Sequence, residues 1–367
     1  MPIPLVDLSV QYGEIADEVH DAFNRIMTTG AFIMGPDVAQ FENNYAAFSG
    51  VSHCVGVASG TDALELCVRA LGIGAGDEVI LPANTFIASA LAVVRAGACP
   101  VLVDADPDHL LIDVDAALAA VGPKTRAIMP VDLFGQIAPM AALEEAARDL
   151  EIFLIEDSAQ AQGARQGDRA AGSFGDASGT SFYPGKNLGA FGDGGAVTTM
   201  SSEVAETVRR LRNYGSEVKY YHPETGFNSR LDTLQAAVLN AKLAHLSNWN
   251  ELRRDAAQRY SELLSDLEEV RLPAVMAGNE SVWHIYAIRV PTRDKLLNHL
   301  NDSGIGAGVH YPVPIHLQGA FDSLGHARGS FPVSEEAADQ MISLPIFPGI
   351  TEAQQIEVAD TVRAGLR

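Results

Sequence analysis

Short, almost continuously apolar runs alternate with helical segments through the first two-thirds of the chain, and this alternation constrains the fold more than any other feature. The runs are Cys54–Ala58, Glu78–Leu81, Pro100–Val103, Ala127–Val131, Ile152–Ile155, Gly179–Phe182 and Ala196–Thr199. Most are bounded by Gly, Pro or Asp and lack the polar alternation of a strand with one wet face, so they suit strands buried on both faces. Between them, Thr61–Ala70, Ser89–Ala96, Met140–Asp149 and Ser202–Asn213 repeat at helical spacing. The pattern predicts an α/β fold built on a large, mostly parallel, seven-stranded sheet.

From about Asp232 the texture changes. Residues 232–269 are rich in Leu, Ala, Arg and Glu with little Gly or Pro, which predicts long helices. A strand pattern at Val282–Val290 and helices at Arg293–Ser303, Ser334–Met341 and Thr351–Ala364 follow. The expectation is a large domain over residues 1–240, then a helical connector and a smaller α+β domain over 241–367. A chain of 367 residues is long enough for two or three domains.

Composition removes several classes. With 25 Lys+Arg against 47 Asp+Glu, the formal charge is −22, so there is no basic surface to displace the counterions of a nucleic acid or to meet an anionic membrane. The first residues carry no basic segment followed by a long apolar one, so no signal peptide is expected. Phe86 to Val103 is the most apolar stretch, but Arg95, Gly97 and Pro100 interrupt it, which predicts a helix and a strand rather than a membrane span. Cys54, Cys67 and Cys99 are scattered and odd in number, with no metal-ligand spacing. A cytoplasmic protein without disulfides or bound metal is expected.

Three segments carry candidate chemistry. Ser59-Gly60-Thr61-Asp62 joins an apolar run to a helix, where free N–H groups and the helix dipole favour an anion and Gly60 allows close approach. The same residues suit a plain helix cap by Ser59 or Thr61. Glu156-Asp157-Ser158-Ala159-Gln160 follows directly on an apolar strand, the position at which open α/β sheets bind ligands. An acid there can hold a cationic ring nitrogen: opposite charges ~4 Å apart at an effective dielectric of ~20 attract by about 4 kcal/mol. It can equally cap a helix. The third segment, Ser181 to Ala196, places Lys186 among small and apolar residues, with Ser181 offering a hydroxyl. Desolvation lowers a lysine pKa and frees a neutral amine, although an ordinary surface lysine in a Gly-rich loop fits the same residues. The Gly72 to Gly76 run precedes a strand and is a turn, not a dinucleotide fingerprint.

A phosphate cradle, a strand-end carboxylate and a loop lysine, in that order, are the functions a pyridoxal 5'-phosphate site needs. Phe86, after another strand end, can supply an aromatic face, or can belong to the core.

With these motifs in order, the sequence resembles the sugar-nucleotide aminotransferases of the DegT/DnrJ/EryC1/StrS family. The resemblance is carried end to end by PLVDLSVQY, GPDVAQFE, VASGTDALEL, GIGAGDEVILPANTFIAS, VDLFGQ, EDSAQAQGA, SFYPGKNLGAFGDGGA, GFNSRLDTLQAAVL and HYPVPIHLQ. It implies the aspartate aminotransferase-type fold, type I among pyridoxal phosphate enzymes. It further implies that Lys186 bonds the cofactor and moves the proton, that Asp157 pairs with the ring nitrogen and that Gln160 bonds the ring hydroxyl. Gly60, Thr61 and Ser181 would hold the phosphate, and Phe86 would stack on the ring. Asn228 matches a residue that completes the phosphate site of the second subunit, which implies a homodimer; as bare sequence it is a turn asparagine. Tyr183, Lys219, His310, Tyr311 and His316 are candidate contacts to the sugar nucleotide.

The implied reaction moves an amino group from L-glutamate to a nucleotide-linked keto-deoxysugar. The SFYPGKNLGAFGDGGA and GFNSRLDTLQAAVL segments look most like members that aminate C3 of a dTDP-3-keto-6-deoxyhexose. A C4 aminotransferase, a sugar dehydratase and a non-catalytic regulatory homologue are the alternatives. In the dehydratases a histidine takes the place held here by Lys186, and a regulatory protein has no need of the retained cofactor functions.

Overall fold

The computed structural model describes residues 2–367. All seven expected strands are present and lie in one sheet. They are β1 (His53–Val57), β2 (Glu78–Pro82), β3 (Cys99–Val103), β4 (Thr125–Ile128), β5 (Phe153–Asp157), β6 (Ala177–Ser181) and β7 (Gly195–Thr199). The spatial order is β1-β7-β6-β5-β4-β2-β3. The pairs β2–β3, β2–β4, β4–β5 and β5–β6 are parallel, whereas β7 runs antiparallel to both β1 and β6.

Helices cover both faces, as a sheet of near-continuous apolar strands requires. They are α1 (Ser9–Thr29), α2 (Pro36–Ser49), α3 (Gly60–Ala70), α4 (Ile87–Ala96), α5 (Val114–Ala119), α6 (Met140–Asp149) and α7 (Ser202–Leu211). Leu64 of α3, Val93 of α4 and Val208 of α7 enter one core with Leu81 and Ile155. Leu143 and Ala147 of α6 enter another with Ile80, Ile128 and Leu154. Each such fully buried Leu or Ile contributes roughly 1.5–3 kcal/mol. α4 ends at Gly97, whose φ of +93° is a left-handed conformation that glycine adopts without strain.

Two further helices, α8 (Thr233–Leu243) and α9 (Leu246–Leu264), occupy the stretch expected to be helical and lead to a second core. That core gathers Tyr260 and Leu264 with residues of β8 (Tyr286–Arg289), α10 (Arg293–Asp302), β9 (Met341–Leu344) and α12 (Glu352–Leu366), whereas α11 (Pro332–Gln340) packs through Ala337 in a separate cluster with Ile285 and Met341. Ile3 packs in the same core, so the start of the chain is tied to its last third. A Thr351–Gln354 capping box starts α12.

Several boundaries moved. The strand expected over Val282–Val290 starts only at Tyr286, which pairs with Leu344, because the Val282 N–H instead bonds Gly135 O at 2.8 Å, on the loop after β4. Met341 belongs to β9, not to the preceding helix. Val131, expected in β4, instead bridges to Asp157 beyond the strand end.

Candidate active site

A cavity of about 440 Å³ opens where the carboxyl ends of β2, β4, β5 and β6 face the segments around β8 and β9. Strand ends at this position leave backbone groups and helix termini free for a ligand. Leu5 and Val6 from the chain start complete one wall.

One end of the cavity is suited to an anion. Ser59 caps α3, its hydroxyl accepting the Asp62 N–H at 3.1 Å. The N–H groups of Gly60 and Thr61 fall in the first helical turn, where the helix offers no acceptors and its dipole is positive. A Cβ on Gly60 would stand 2.5 Å from the Cβ of Ser181, so glycine is what lets α3 begin flush against the end of β6. The Ser181 hydroxyl accepts the Tyr183 N–H at 3.3 Å and keeps its own hydrogen for another acceptor.

Asp157 lies buried at the end of β5. Burial raises its carboxyl above the ordinary carboxylate range; bonds from Ser89 and the Ala159 N–H, and the nearby Lys186 charge, oppose that rise. Ser89 donates to Oδ2 at 2.7 Å and the Ala159 N–H to Oδ1 at 3.2 Å. No helix starts here, so Asp157 is not a helix cap. Glu156, next to it, points the other way and accepts the N–H groups of Gly172 and Phe174 at 2.9 and 3.1 Å.

Lys186 sits half-buried on the loop between β6 and β7, and burial lowers its amine to about 8 against the pull of Asp157. The second helical layer fixes this loop. Buried Lys242 on α8 donates to Gly189 O at 2.7 Å, and Gln235 accepts the Phe191 N–H at 2.8 Å. Between the two ends, Gln160 accepts the Phe134 N–H at 2.7 Å and donates to the Tyr311 hydroxyl at 3.0 Å. The Phe86 ring stands 5.0 Å from that of Tyr311 at the cavity edge.

Gly60, Thr61, Phe86, Asp157, Gln160, Ser181, Tyr183, Lys186, His310 and Tyr311 thus line one cavity. His316, Lys219 and Asn228 do not. His316 is buried, with Nε2 2.9 Å from Glu335 Oε1 and its ring edge-on to Phe331. Lys219 lies in a separate surface depression with Tyr214 and Arg230, its ammonium 5.0 Å from the Tyr220 ring. Asn228 is exposed and accepts a bond from Arg230 at 2.7 Å. Sequence reasoning missed Ser89, Asp193, His284 and Ser343. Ser89 stands four residues after Thr85 and bonds it at 2.9 Å, a spacing that could have flagged it; nothing local flags the other three.

The profile of the DegT/DnrJ/EryC1/StrS aminotransferase family matches residues 14–363. The chain belongs to that family. The dTDP-3-amino-3,4,6-trideoxy-alpha-D-glucose transaminase of Streptomyces venezuelae is 46% identical, over 98% of this chain and 95% of its own. The erythromycin biosynthesis sensory transduction protein EryC1 of Saccharopolyspora erythraea is also 46% identical, over 100% of both chains. A crystal structure of S. venezuelae DesV in complex with a ketimine intermediate matches with a TM-score of 0.98 and 45% identity, covering 100% of this aminotransferase and 99% of that chain. The family depends on pyridoxal phosphate, and solved neighbours include pyridoxal and pyridoxamine phosphate forms. The type I fold expected from the sequence is the one observed. Among the described residues no helix is long and apolar enough to cross a membrane.

Proposed function

We propose that this chain binds pyridoxal phosphate and moves the amino group of L-glutamate to C3 of a dTDP-linked 3-keto-6-deoxyhexose. The observation that carries the reading is the convergence of Lys186, buried Asp157 and the N-terminus of α3 on one cavity. The donor chemistry fits the cofactor part by part. First-turn N–H groups and the Ser181 hydroxyl suit a phosphate, and the Lys186 amine suits an aldehyde. The Asp157 carboxylate has only neutral hydrogen-bond partners, so a protonated ring nitrogen supplies the cation its burial calls for.

Bound there, pyridoxal phosphate supplies an electron sink for the charge left when a proton leaves carbon. Asp157 would hold the ring nitrogen in its protonated form. Gln160 would offer the ring its side-chain amide, held by Phe134 and Tyr311. Phe86, beside Tyr311 at the cavity edge, would supply an aromatic surface for the ring. Lys186, with its amine near pKa 8, is matched to taking a proton from substrate carbon and returning it close to neutral pH.

The sugar reading is supported by the S. venezuelae relative's name and by Tyr183, His310 and Tyr311 at the cavity. We read the chain as a homodimer with shared sites. Phe32, Ile33, Met34, Tyr214, Val218, Tyr220 and Tyr221 are exposed on or beside the segments that carry Lys219, Asn228 and Arg230. An apolar surface of that kind suits burial against a second copy.

A panel of dTDP- and UDP-linked keto sugars, assayed with glutamate and the cofactor-loaded protein, tests the reading. The dTDP-3-keto-6-deoxyhexose is expected to show the highest kcat/KM. Preference for a 4-keto sugar would contradict C3, preference for UDP would contradict the nucleotide, and no turnover with any member would contradict the whole.

A further inference from the structure

Asn187, the residue after Lys186, determines which ring nitrogen of a cavity histidine carries the proton. The Asn187 amide can sit only one way round. Its Nδ2 donates at 2.9 Å to Val282 O, a backbone carbonyl that can only accept. It also donates at 2.9 Å to Asn250 Oδ1, and Asn250 is itself oriented by donating to Gln162 O at 2.9 Å. Asn187 Oδ1 is therefore an acceptor, and it lies 3.1 Å from Nδ1 of His284. The hydrogen in that bond must come from the imidazole.

His284 lines the cavity, on the turn before β8. Buried Arg253 pins this turn by donating to Trp283 O and Ile346 O, each at 3.2 Å. With Nδ1 committed to Asn187, Nε2 has no partner among the described residues. Burial and the positive charges of Lys186 and Arg253, with His310 beside them, hold the imidazole well below its ordinary pKa, so a second proton is disfavoured.

We infer that His284, with its proton fixed on Nδ1 by Asn187, presents a bare Nε2 to the cavity as hydrogen-bond acceptor for a hydroxyl of the keto sugar. This rests on the sugar-nucleotide reading above. A lone pair repels carboxylates, so the two carboxylates of glutamate gain nothing from Nε2, whereas a sugar offers hydroxyl donors. His284 is thus a specificity residue for one half of the reaction, set by a side chain adjacent to Lys186.

Two measurements test it. Nitrogen-15 NMR of histidine-labelled, cofactor-loaded protein, with His284 assigned by its loss in His284→Asn, is expected to show a protonated Nδ1 and an unprotonated Nε2 at neutral pH. The opposite tautomer or an imidazolium would overturn the inference. The two half-reactions are then followed singly, with glutamate and with the dTDP-3-keto-6-deoxyhexose. His284→Asn keeps a donor for Asn187 but, being shorter, leaves no acceptor at the Nε2 position. It is expected to slow the sugar half-reaction by about three- to tenfold more than the glutamate half-reaction, the worth of one neutral hydrogen bond. His284→Gln, which can place an oxygen near the Nε2 position, is expected to recover part of that difference. Equal losses in both half-reactions would reduce His284 to a structural role. A wild-type enzyme that accepts no keto sugar would overturn the parent reading and this one with it.

Discussion

Ser89, on the first turn of α4, donates its hydroxyl to Oδ2 of Asp157 at 2.7 Å, tying the crossover after β2 to the carboxylate at the end of β5. The bond keeps a buried carboxyl closer to its ionised form. Ser89→Ala should remove about 1.5–3 kcal/mol of charge-assisted bonding, roughly ten- to a hundredfold in turnover at neutral pH. The acid limb of the kcat/KM profile should move to higher pH, where the carboxyl ionises again. An unmoved limb would show that Ser89 only packs.

Asp157→Asn should lower turnover by orders of magnitude while raising the stability of the cofactor-free protein. The sign follows from burial. A carboxyl whose folded pKa is raised costs nothing while protonated, and stability is lost as pH rises through that pKa. Asparagine has no such loss, so the thermal midpoints of variant and wild type should diverge above the ordinary carboxylate range and converge in acid. Midpoints that run parallel with pH would contradict the buried-charge account.

Much of the site is readable from the sequence because its groups sit where strands end. Asp157 and Ser181 are the last residues of β5 and β6, and Lys186 lies five residues beyond β6, so residue type and position point to the same face. The rest is tertiary. Asn187 and His284 are 97 residues apart, and their bond exists only because the turn before β8 crosses the lysine loop. His316 was misplaced because a Pro-rich segment with aromatics looks alike whether it faces a cavity or the core. Its partner Glu335, on α11, settled the matter. The large sheet was legible for the reason it is stable: strands buried on both faces cannot hide their composition. The short β9 was not, since its four residues, Met341–Leu344, follow α11 directly with no Gly or Pro between them to mark where the helix ends.

His316→Gln is accordingly expected to leave the KM for the sugar nucleotide close to wild type and to cost about 1–3 kcal/mol of stability, by disturbing a buried bond to Glu335. Thermal unfolding and steady-state kinetics separate the two effects. A large KM rise without destabilisation would return His316 to the substrate site.

Lys186 should stand out among lysines by its reactivity. At limiting concentrations of an amine-selective acylating reagent, the cofactor-free protein should label at Lys186 first, with a rate that rises with pH and levels off above about 8. Lys242 is lowered to a similar value but is buried, and should stay unlabelled. Peptide mapping reads both. A Lys186 rate still climbing like that of surface lysines would contradict its desolvation.

The shared-site reading is tested by complementation. Lys186→Ala and Asn228→Asp subunits, each inactive alone, should regain activity on exchange, because one site of the mixed dimer would carry both defects and the other neither. Statistical exchange should give up to about a quarter of wild-type activity per total subunit. Verified mixed dimers that stay inactive would place Asn228 outside the neighbouring site.

The central claim is that Lys186 drives transfer of an amino group from an amino acid to a sugar carbon. The most direct measurement uses L-glutamate labelled with nitrogen-15 at its amino group, the cofactor-loaded protein and a dTDP-3-keto-6-deoxyhexose, with the sugar nucleotide product read by mass spectrometry and NMR. The expected result is nitrogen-15 bonded to C3 in the wild-type reaction and none with Lys186→Ala, whose circular dichroism should remain that of the folded protein. Label on C3 in the folded Lys186→Ala reaction, or no labelled sugar from the wild type, would contradict it.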